Sequence, residues 1–152
     1  VSGQQKSWGY VHFDGHVEKL PDEHYTGDLG QIDTDGHLSV VGRLKDLIIR
    51  GGVNISPVEI DNILARHPDI EDGAACGVPD KIYGEEVVAY VVPRHGSGLT
   101  AKAVIALCGE TLAPFKTPKQ VVFVDALPKN ERGKLDRKAL TDAWKEANTA
   151  VG

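Results

Sequence analysis

The chain has 152 residues, a formal net charge of −5 and a composition that is 41% hydrophobic and 26% charged. This composition is typical of one folded domain, or of one domain with part of another, and a chain of this length buries enough apolar surface to fold without a disulfide or a metal. The acidic balance argues against nucleic-acid binding. No apolar run approaches the roughly 20 residues of a membrane helix, and we expect no signal peptide in the first ten residues.

The cysteine content indicates the compartment in which the chain works. Cys76 and Cys108 are widely spaced and form no paired-cysteine motif. This argues against a disulfide scaffold or a cysteine zinc site and favours a reducing compartment. We therefore expect a cytoplasmic protein with no metal site on this chain. The absence of methionine is compatible with a piece of a longer polypeptide.

The first 50 residues predict a succession of short strands. Turn signals separate short β-forming runs at Asp14-Gly15, Gly27-Asp28 and Asp35-Gly36. No helical period appears before residue 55. Asp33 and Asp35 share features of a calcium loop, but its two ends lack the required carboxylates, so we predict a hairpin turn.

The character of the sequence changes after residue 54. Ser56-Pro57-Val58-Glu59 has the pattern of a capping box, with serine at the N-cap and proline at the first helical position. This helix is predicted to end before His67-Pro68. Strands at 73–78, 86–92 and 121–124 and helices capped by Thr100 and Asp136 follow. We predict an α+β fold in which a short β-rich segment precedes helices packed on a small mixed sheet.

Three segments carry the residues of chemical interest. They are YTGDLG at 25–30, GRLKDLIIRGGVNISPVEID at 42–61 and LPKNERGKLDRKAL at 127–140. Each is weak alone, since a glycine–lysine loop such as Gly133-Lys134 is more often a solvated turn than a phosphate site.

Together and in this order, these segments resemble the C-terminal portion of the acyl-adenylate-forming enzymes, and most closely the AMP-forming acyl-CoA synthetases. The resemblance implies that residues 1–44 are the last strands of a large adenylation domain. Residues 45–152 would then be the small lid domain, with a hinge near 43–46. Such enzymes activate a carboxylic acid with ATP to acyl-AMP and then transfer the acyl group to CoA.

The resemblance also implies a role for individual residues. Lys134 matches the catalytic lysine, Asp28 and Arg43 match residues that bind the nucleotide ribose, and Lys45 matches the hinge position. Four residues match the face that meets CoA during thioester formation: Arg50, Gly51, Gly52 and Lys116. Each has an ordinary alternative, namely a turn, a surface salt bridge or a solvated cation.

The comparison also leaves parts of the enzyme unaccounted for. The phosphate loop, the acyl pocket and the magnesium ligands of such enzymes have no counterpart here, so we expect the chain to be inactive alone and to need the large domain, which would bind Mg²⁺. Two alternatives remain: a ligase that loads a carrier-protein pantetheine thiol, and a free-standing nucleotide- or CoA-binding module without catalysis. The chain departs from the usual pattern at His24-Tyr25 and at Phe115, and the carboxylic acid substrate cannot be read from it.

Overall fold

A computed structural model describes residues 9–11, 13–14, 16–19 and 25–149, so that Gly15 and His24 lie outside the described residues. The elements in chain order are β1 (Gly9–Val11), β2 (Val17–Lys19), β3 (Asp28–Ile32), β4 (Leu38–Arg43), a 3-10 helix (Leu44–Asp46), β5 (Ile48–Arg50), β6 (Val53–Ile55), α1 (Pro57–Leu64), β7 (Ile70–Asp80), β8 (Gly84–Pro93), α2 (Ala101–Thr111), β9 (Gln120–Phe123) and α3 (Arg137–Thr149). None of the helices among these residues is both long and apolar enough to cross a membrane.

Among the described residues, the N-terminal part contains two pairs of antiparallel strands, so the predicted succession of short strands is confirmed, but Asp28 of the predicted Gly27-Asp28 turn begins a strand. β1 pairs with β2, and β3 pairs with β4 in a separate two-stranded sheet. The turn of the second hairpin is closed by Asp33, whose carboxylate accepts the backbone N–H groups of Asp35 and His37. The predicted hairpin turn at these aspartates is therefore confirmed.

A five-stranded mixed sheet forms the centre of the rest of the chain. Its order is β6-β5-β8-β7, and β9 pairs in parallel with β8. β8 is covered on both edges, by β7 along its length and by β5 and β9 on the other side. Residues 86–92 of β8 are also buried, because side chains of the strand pack on both faces of the sheet, which explains its nearly unbroken apolar sequence.

Alternate side chains of β8 divide the core into two clusters. Val87, Ala89 and Val91 pack with residues of α1 and α2 on one face of the sheet. Val88 and Tyr90 pack on the other face with α3, where the Tyr90 hydroxyl donates a hydrogen bond to the carbonyl of Leu140. Two helices on one face and one on the other confirm the predicted α+β class, with helices packed on a small mixed sheet.

All three α-helices begin where the sequence predicts, but only two of them have the predicted N-cap hydrogen bond. The Thr100 hydroxyl accepts the Ala103 N–H at 3.2 Å, and the Asp136 carboxylate accepts the Ala139 N–H at 3.1 Å. Ser56 is the N-cap of α1, but its hydroxyl makes no cap hydrogen bond and donates to the Val41 carbonyl. The capping-box interpretation of Ser56 is therefore wrong in its bonding, because a nearby strand offers the hydroxyl a different partner.

Candidate active site

The two residues predicted to bind ribose lie opposite each other on the β3–β4 hairpin. Asp28 and Arg43 are paired in the strand register, and Arg43 Nε lies 3.1 Å from Asp28 Oδ1. Their side chains are 31% and 49% exposed, respectively. A partly exposed carboxylate has more acceptor sites than one guanidinium occupies, so Asp28 remains able to accept hydrogen bonds from a ligand.

The predicted hinge residue, Lys45, comes just after strand β4. Lys45 is the middle residue of the 3-10 helix that joins β4 to β5, and it is exposed. The Leu44 N–H donates to the Gly27 carbonyl at 2.8 Å, so this helix continues from the end of the hairpin that carries Arg43.

Asn130 organises the loop that carries Lys134. Its side-chain oxygen accepts the backbone N–H groups of Arg132 and Lys134, each at 3.0 Å. Its own N–H donates to the Lys134 carbonyl at 2.7 Å, and its carbonyl accepts the Gly133 N–H at 2.8 Å. Four hydrogen bonds to one residue fix the backbone at Lys134, while the lysine itself is exposed.

A cleft of about 620 Å³ brings the predicted residues together. Arg43, Lys45 and Lys134 line it, and Asp28 adjoins it through its ion pair with Arg43. The full lining is Arg43, Lys45, Asp46, Asn130, Lys134, Leu135, Asp136, Arg137 and Lys138. Five of these side chains are cationic and two are carboxylates, so the cleft suits an anionic ligand such as a nucleotide phosphate.

Arg137 lines the cleft but is held by a partly buried network. Its guanidinium pairs with both carboxylate oxygens of Asp61 on α1, and its Nη1 donates to the Ala75 carbonyl at 2.6 Å. Asp61 Oδ1 in turn accepts the Ala75 N–H at 2.7 Å. The pair thus satisfies the outer edge of β7 and fixes the start of α3, three residues after Lys134.

The residues predicted for the CoA face divide into two places. Gly51 and Gly52 form the β5–β6 turn with φ of 56° and 82°, values that glycine adopts without strain. Arg50, at the edge of this turn, donates to Glu86 Oε1 at 2.7 Å and stacks 4.1 Å from the centre of the Tyr83 ring. Lys116 lies elsewhere and pairs with Glu59 of α1 at 2.8 Å.

Glu86 is the buried anion of this second region. Burial raises its pKa, but hydrogen bonds from Arg50 and the Val87 N–H, with the charges of Arg50 and Lys119, outweigh burial and leave the pKa below its usual value. Among the described residues its Oε2 atom has no hydrogen-bond partner, and Lys119 Nζ lies 3.8 Å away.

The two cysteines have the properties of core residues. Both thiols are buried and free, and burial raises the pKa of each to about 11. A thiol with such a pKa is neutral near pH 7, so neither cysteine is suited to act as a nucleophile.

Several contacts around the cleft are not predicted by the sequence. The pairs Asp61–Arg137 and Ser56–Val41 join residues far apart in the chain, and no local sequence pattern predicts them. Asn130 had a visible signal, since an asparagine three residues before a glycine in a polar loop is typical of a turn organised by its side chain.

The cleft thus brings together residues of the predicted motifs, beside a 3-10 helix and a lysine loop that Asn130 orders. A family model described as AMP-binding enzyme C-terminal domain matches residues 59–134, and the chain belongs to this family. The oxalate–CoA ligase of Arabidopsis thaliana is 48% identical over 122 residues, covering 80% of this chain and 24% of that protein. The sulfoacetate–CoA ligase of Cupriavidus necator is 49% identical over 112 residues, covering 74% and 22%.

The solved structures agree. ATP-bound MatB from Rhodopseudomonas palustris matches with a TM-score of 0.74 and 37% identity, covering 90% of this chain and 26% of that one. The resemblance to adenylate-forming enzymes is therefore confirmed. This chain spans about a quarter of the length of the relatives that it matches.

Proposed function

We propose that this chain is the C-terminal part of an AMP-forming carboxylate–CoA ligase. The observation that carries the proposal is the cleft in which Arg43, Lys45 and Lys134 meet. Three residues predicted for ribose binding, hinge movement and catalysis, drawn from segments up to 91 positions apart, share one cationic volume. The CoA-ligase names of the relatives support the class of reaction.

The proposed reaction has two steps. A carboxylate oxygen of the acid attacks the α-phosphorus of ATP, the bond to the β-phosphate oxygen breaks, and acyl-AMP and pyrophosphate result. The CoA sulfur then attacks the acyl carbon, the bond to the AMP oxygen breaks, and the thiol proton leaves to solvent. In the first step the Lys134 ammonium donates hydrogen bonds where negative charge gathers between the carboxylate and the α-phosphate. A preorganised donor there is worth about 3–4 kcal/mol.

Asp28 and Arg43 are proposed to hold the ribose. The ionised carboxylate of Asp28 accepts hydrogen bonds from the ribose hydroxyls, and Arg43 orients that carboxylate and donates to the nucleotide. The existing ion pair between them supports this role, because it fixes both side chains before the ligand arrives.

Lys45 is proposed as the hinge between residues 1–44 and 45–152. A short 3-10 helix between two strands is the kind of segment that absorbs a backbone rotation. The rotation would exchange the Lys134 face for the face at Gly51 and Gly52, where small residues leave room for the pantetheine arm. Arg50 and Lys116 would reach CoA phosphates only after exchanging their present partners, Glu86 and Glu59.

The remaining machinery is assigned to a large domain like that of the adenylate-forming enzymes. We propose that this domain supplies the acyl pocket, the phosphate loop and the Mg²⁺ ligands, and that the 152 residues alone do not turn over ATP. The relatives act on different acids by name, so the acid of this enzyme is left open.

The test is Lys134→Ala in the intact enzyme, with the two steps assayed separately. We expect the rate of acyl-AMP formation, measured by ATP–pyrophosphate exchange, to fall about a hundred- to thousandfold. Thioester formation from supplied acyl-AMP should persist. The matched control is Lys102→Ala, which removes an exposed lysine on α2 and should change neither step. Equal loss in both steps would refute the proposed role of Lys134.

A further inference from the structure

The hydroxyl of Ser56 forms a hydrogen bond across the proposed hinge. It donates to the Val41 carbonyl at 2.7 Å, joining the first residue before α1 to strand β4. Val41 and Ser56 are 15 positions apart in the chain, and the 3-10 helix with Lys45 lies between them. The bond therefore bridges the two segments that the hinge would move apart.

The backbone approaches closely at this bridge. Gly42, next to Val41, is buried, and a Cβ atom at this position would lie 2.7 Å from Ser56 Oγ and 3.9 Å from Val58 Cγ2. Glycine is therefore the residue that lets β4 lie against the first turn of α1. A hydrogen bond in such a partly buried contact competes little with water.

Helix capping does not account for this serine. The Ser56 side chain makes no cap hydrogen bond, and the Glu59 N–H donates to the Ser56 backbone carbonyl instead. Thr100, by contrast, uses its hydroxyl to cap α2. Two hydroxyl residues at helix starts thus have different partners, and the partner of Ser56 lies on the strand that carries Arg43.

We propose that Ser56 is a positioning residue for acyl-adenylate formation. By tying β4 to α1, it keeps Arg43 and Lys134 facing the same cleft. Any rotation about residues 44–46 that separates β4 from α1 breaks this hydrogen bond, so the bond biases the enzyme toward the present arrangement. The inference rests on the proposed function, because it assigns the present arrangement to the first of the two steps.

The test compares Ser56→Ala, Ser56→Thr, Thr100→Ala and Lys134→Ala in the intact enzyme. Loss of one hydrogen bond predicts that Ser56→Ala slows acyl-AMP formation about two- to tenfold and leaves thioester formation from supplied acyl-AMP unchanged or faster. Ser56→Thr keeps the hydroxyl and should behave as the parent. Thr100→Ala loses a true helix cap and should leave the ratio of the two rates unchanged.

A second measurement does not depend on activity. In the 152-residue chain, Ser56→Ala should shift the backbone amide resonance of Gly42, which shares a peptide group with the Val41 carbonyl. It should also change the residual dipolar couplings of β4 relative to those of β8, because the two segments lose a fixed orientation. Ser56→Thr should restore both signals.

The outcomes separate this inference from the proposed function. If Lys134→Ala blocks acyl-AMP formation while Ser56→Ala changes neither the rate ratio nor the couplings, the positioning role is wrong and the proposed function stands. If Ser56→Ala slows both steps equally, the serine is merely structural and the inference is overturned. If Lys134→Ala has no effect, the proposed function fails, and so does the catalytic half of this inference.

Discussion

The β3–β4 hairpin and the five-stranded sheet use the same kinds of residue in opposite ways. In the hairpin, Ile32, Leu38 and Val40 are exposed. In β8, by contrast, residues 87–92 alternate between the two core clusters. The sheet is thus stabilised by its own packing, while among the described residues no side chain of the hairpin belongs to either core cluster. The difference teaches that the packing that stabilises this chain is concentrated in the sheet and its helices, and that the proposed ribose-binding pair lies outside it.

The arginine–aspartate pairs of the two regions show the same contrast. Arg43–Asp28 on the hairpin is partly exposed, with both side chains open to a ligand. Arg137–Asp61, beside the five-stranded sheet, is 14% and 19% exposed, and its hydrogen bonds join α1, β7 and α3. The proposed role in recognition therefore suits the first pair, whereas the contacts of the second pair are architectural.

A large effect on stability is expected when this architectural pair is broken. Asp61→Ala leaves the largely enclosed guanidinium of Arg137, which is 14% exposed, without its anion and the Ala75 N–H without an acceptor. It should lower the free energy of unfolding by about 3 kcal/mol, the low end for a buried ion pair. The matched change in the hairpin is Asp28→Ala, which breaks a partly exposed pair and should cost under about 1 kcal/mol. Urea denaturation of the 152-residue chain measures both.

The result that would break the comparison is a similar cost for the two substitutions. In that case the Asp61 pair would be no more structural than a surface salt bridge. A larger cost for Asp28→Ala would mean that the hairpin depends on its ion pair for folding.

A comparable difference is expected from two isoleucines. Ile60 on α1 is 0% exposed and packs under the sheet, so Ile60→Ala should cost about 2–5 kcal/mol through lost burial and the cavity that remains. Ile32 is 69% exposed on the hairpin, and Ile32→Ala should change stability by less than about 0.5 kcal/mol. Thermal and urea unfolding monitored by circular dichroism would give both values. A clearly destabilised Ile32→Ala variant would contradict the comparison, because it would show that Ile32 packs against other residues.

The sequence predicts the helices and strands of the five-stranded sheet better than the contacts between distant segments. The apolar run of β8, the threonine cap of α2 and the aspartate cap of α3 are signals contained within a few residues, and each is confirmed in kind. The motif residues Arg43, Lys45 and Lys134 could likewise be selected from short segments, and the structure brings them into one cleft.

What could not be predicted are contacts between distant segments. A capping box predicts where α1 begins, but the choice of Val41 as the partner of Ser56 depends on where β4 packs. Asp61 and Arg137 are separated by 76 positions, and Arg50 and Glu86 by 36. Only tertiary packing determines which arginine stays open to solvent and which is enclosed.

The smallest expected effect concerns the third arginine–carboxylate pair, Arg50–Glu86, at the rim of the sheet. Burial and its hydrogen bonds together leave the pKa of Glu86 below its ordinary value of 4.5. The unfolded chain therefore binds this proton more readily, so the stabilisation is complete above about pH 4.5 and is lost as the pH falls through the lower folded-state pKa.

We expect Glu86→Gln to flatten the fall of the unfolding free energy below pH 4.5. Glu110→Gln, which removes an exposed carboxylate on α2, serves as the control. An equal slope in the parent and in Glu86→Gln would show that Arg50 does not stabilise the ionised carboxylate, and would leave Arg50 free to meet an anion in the present arrangement.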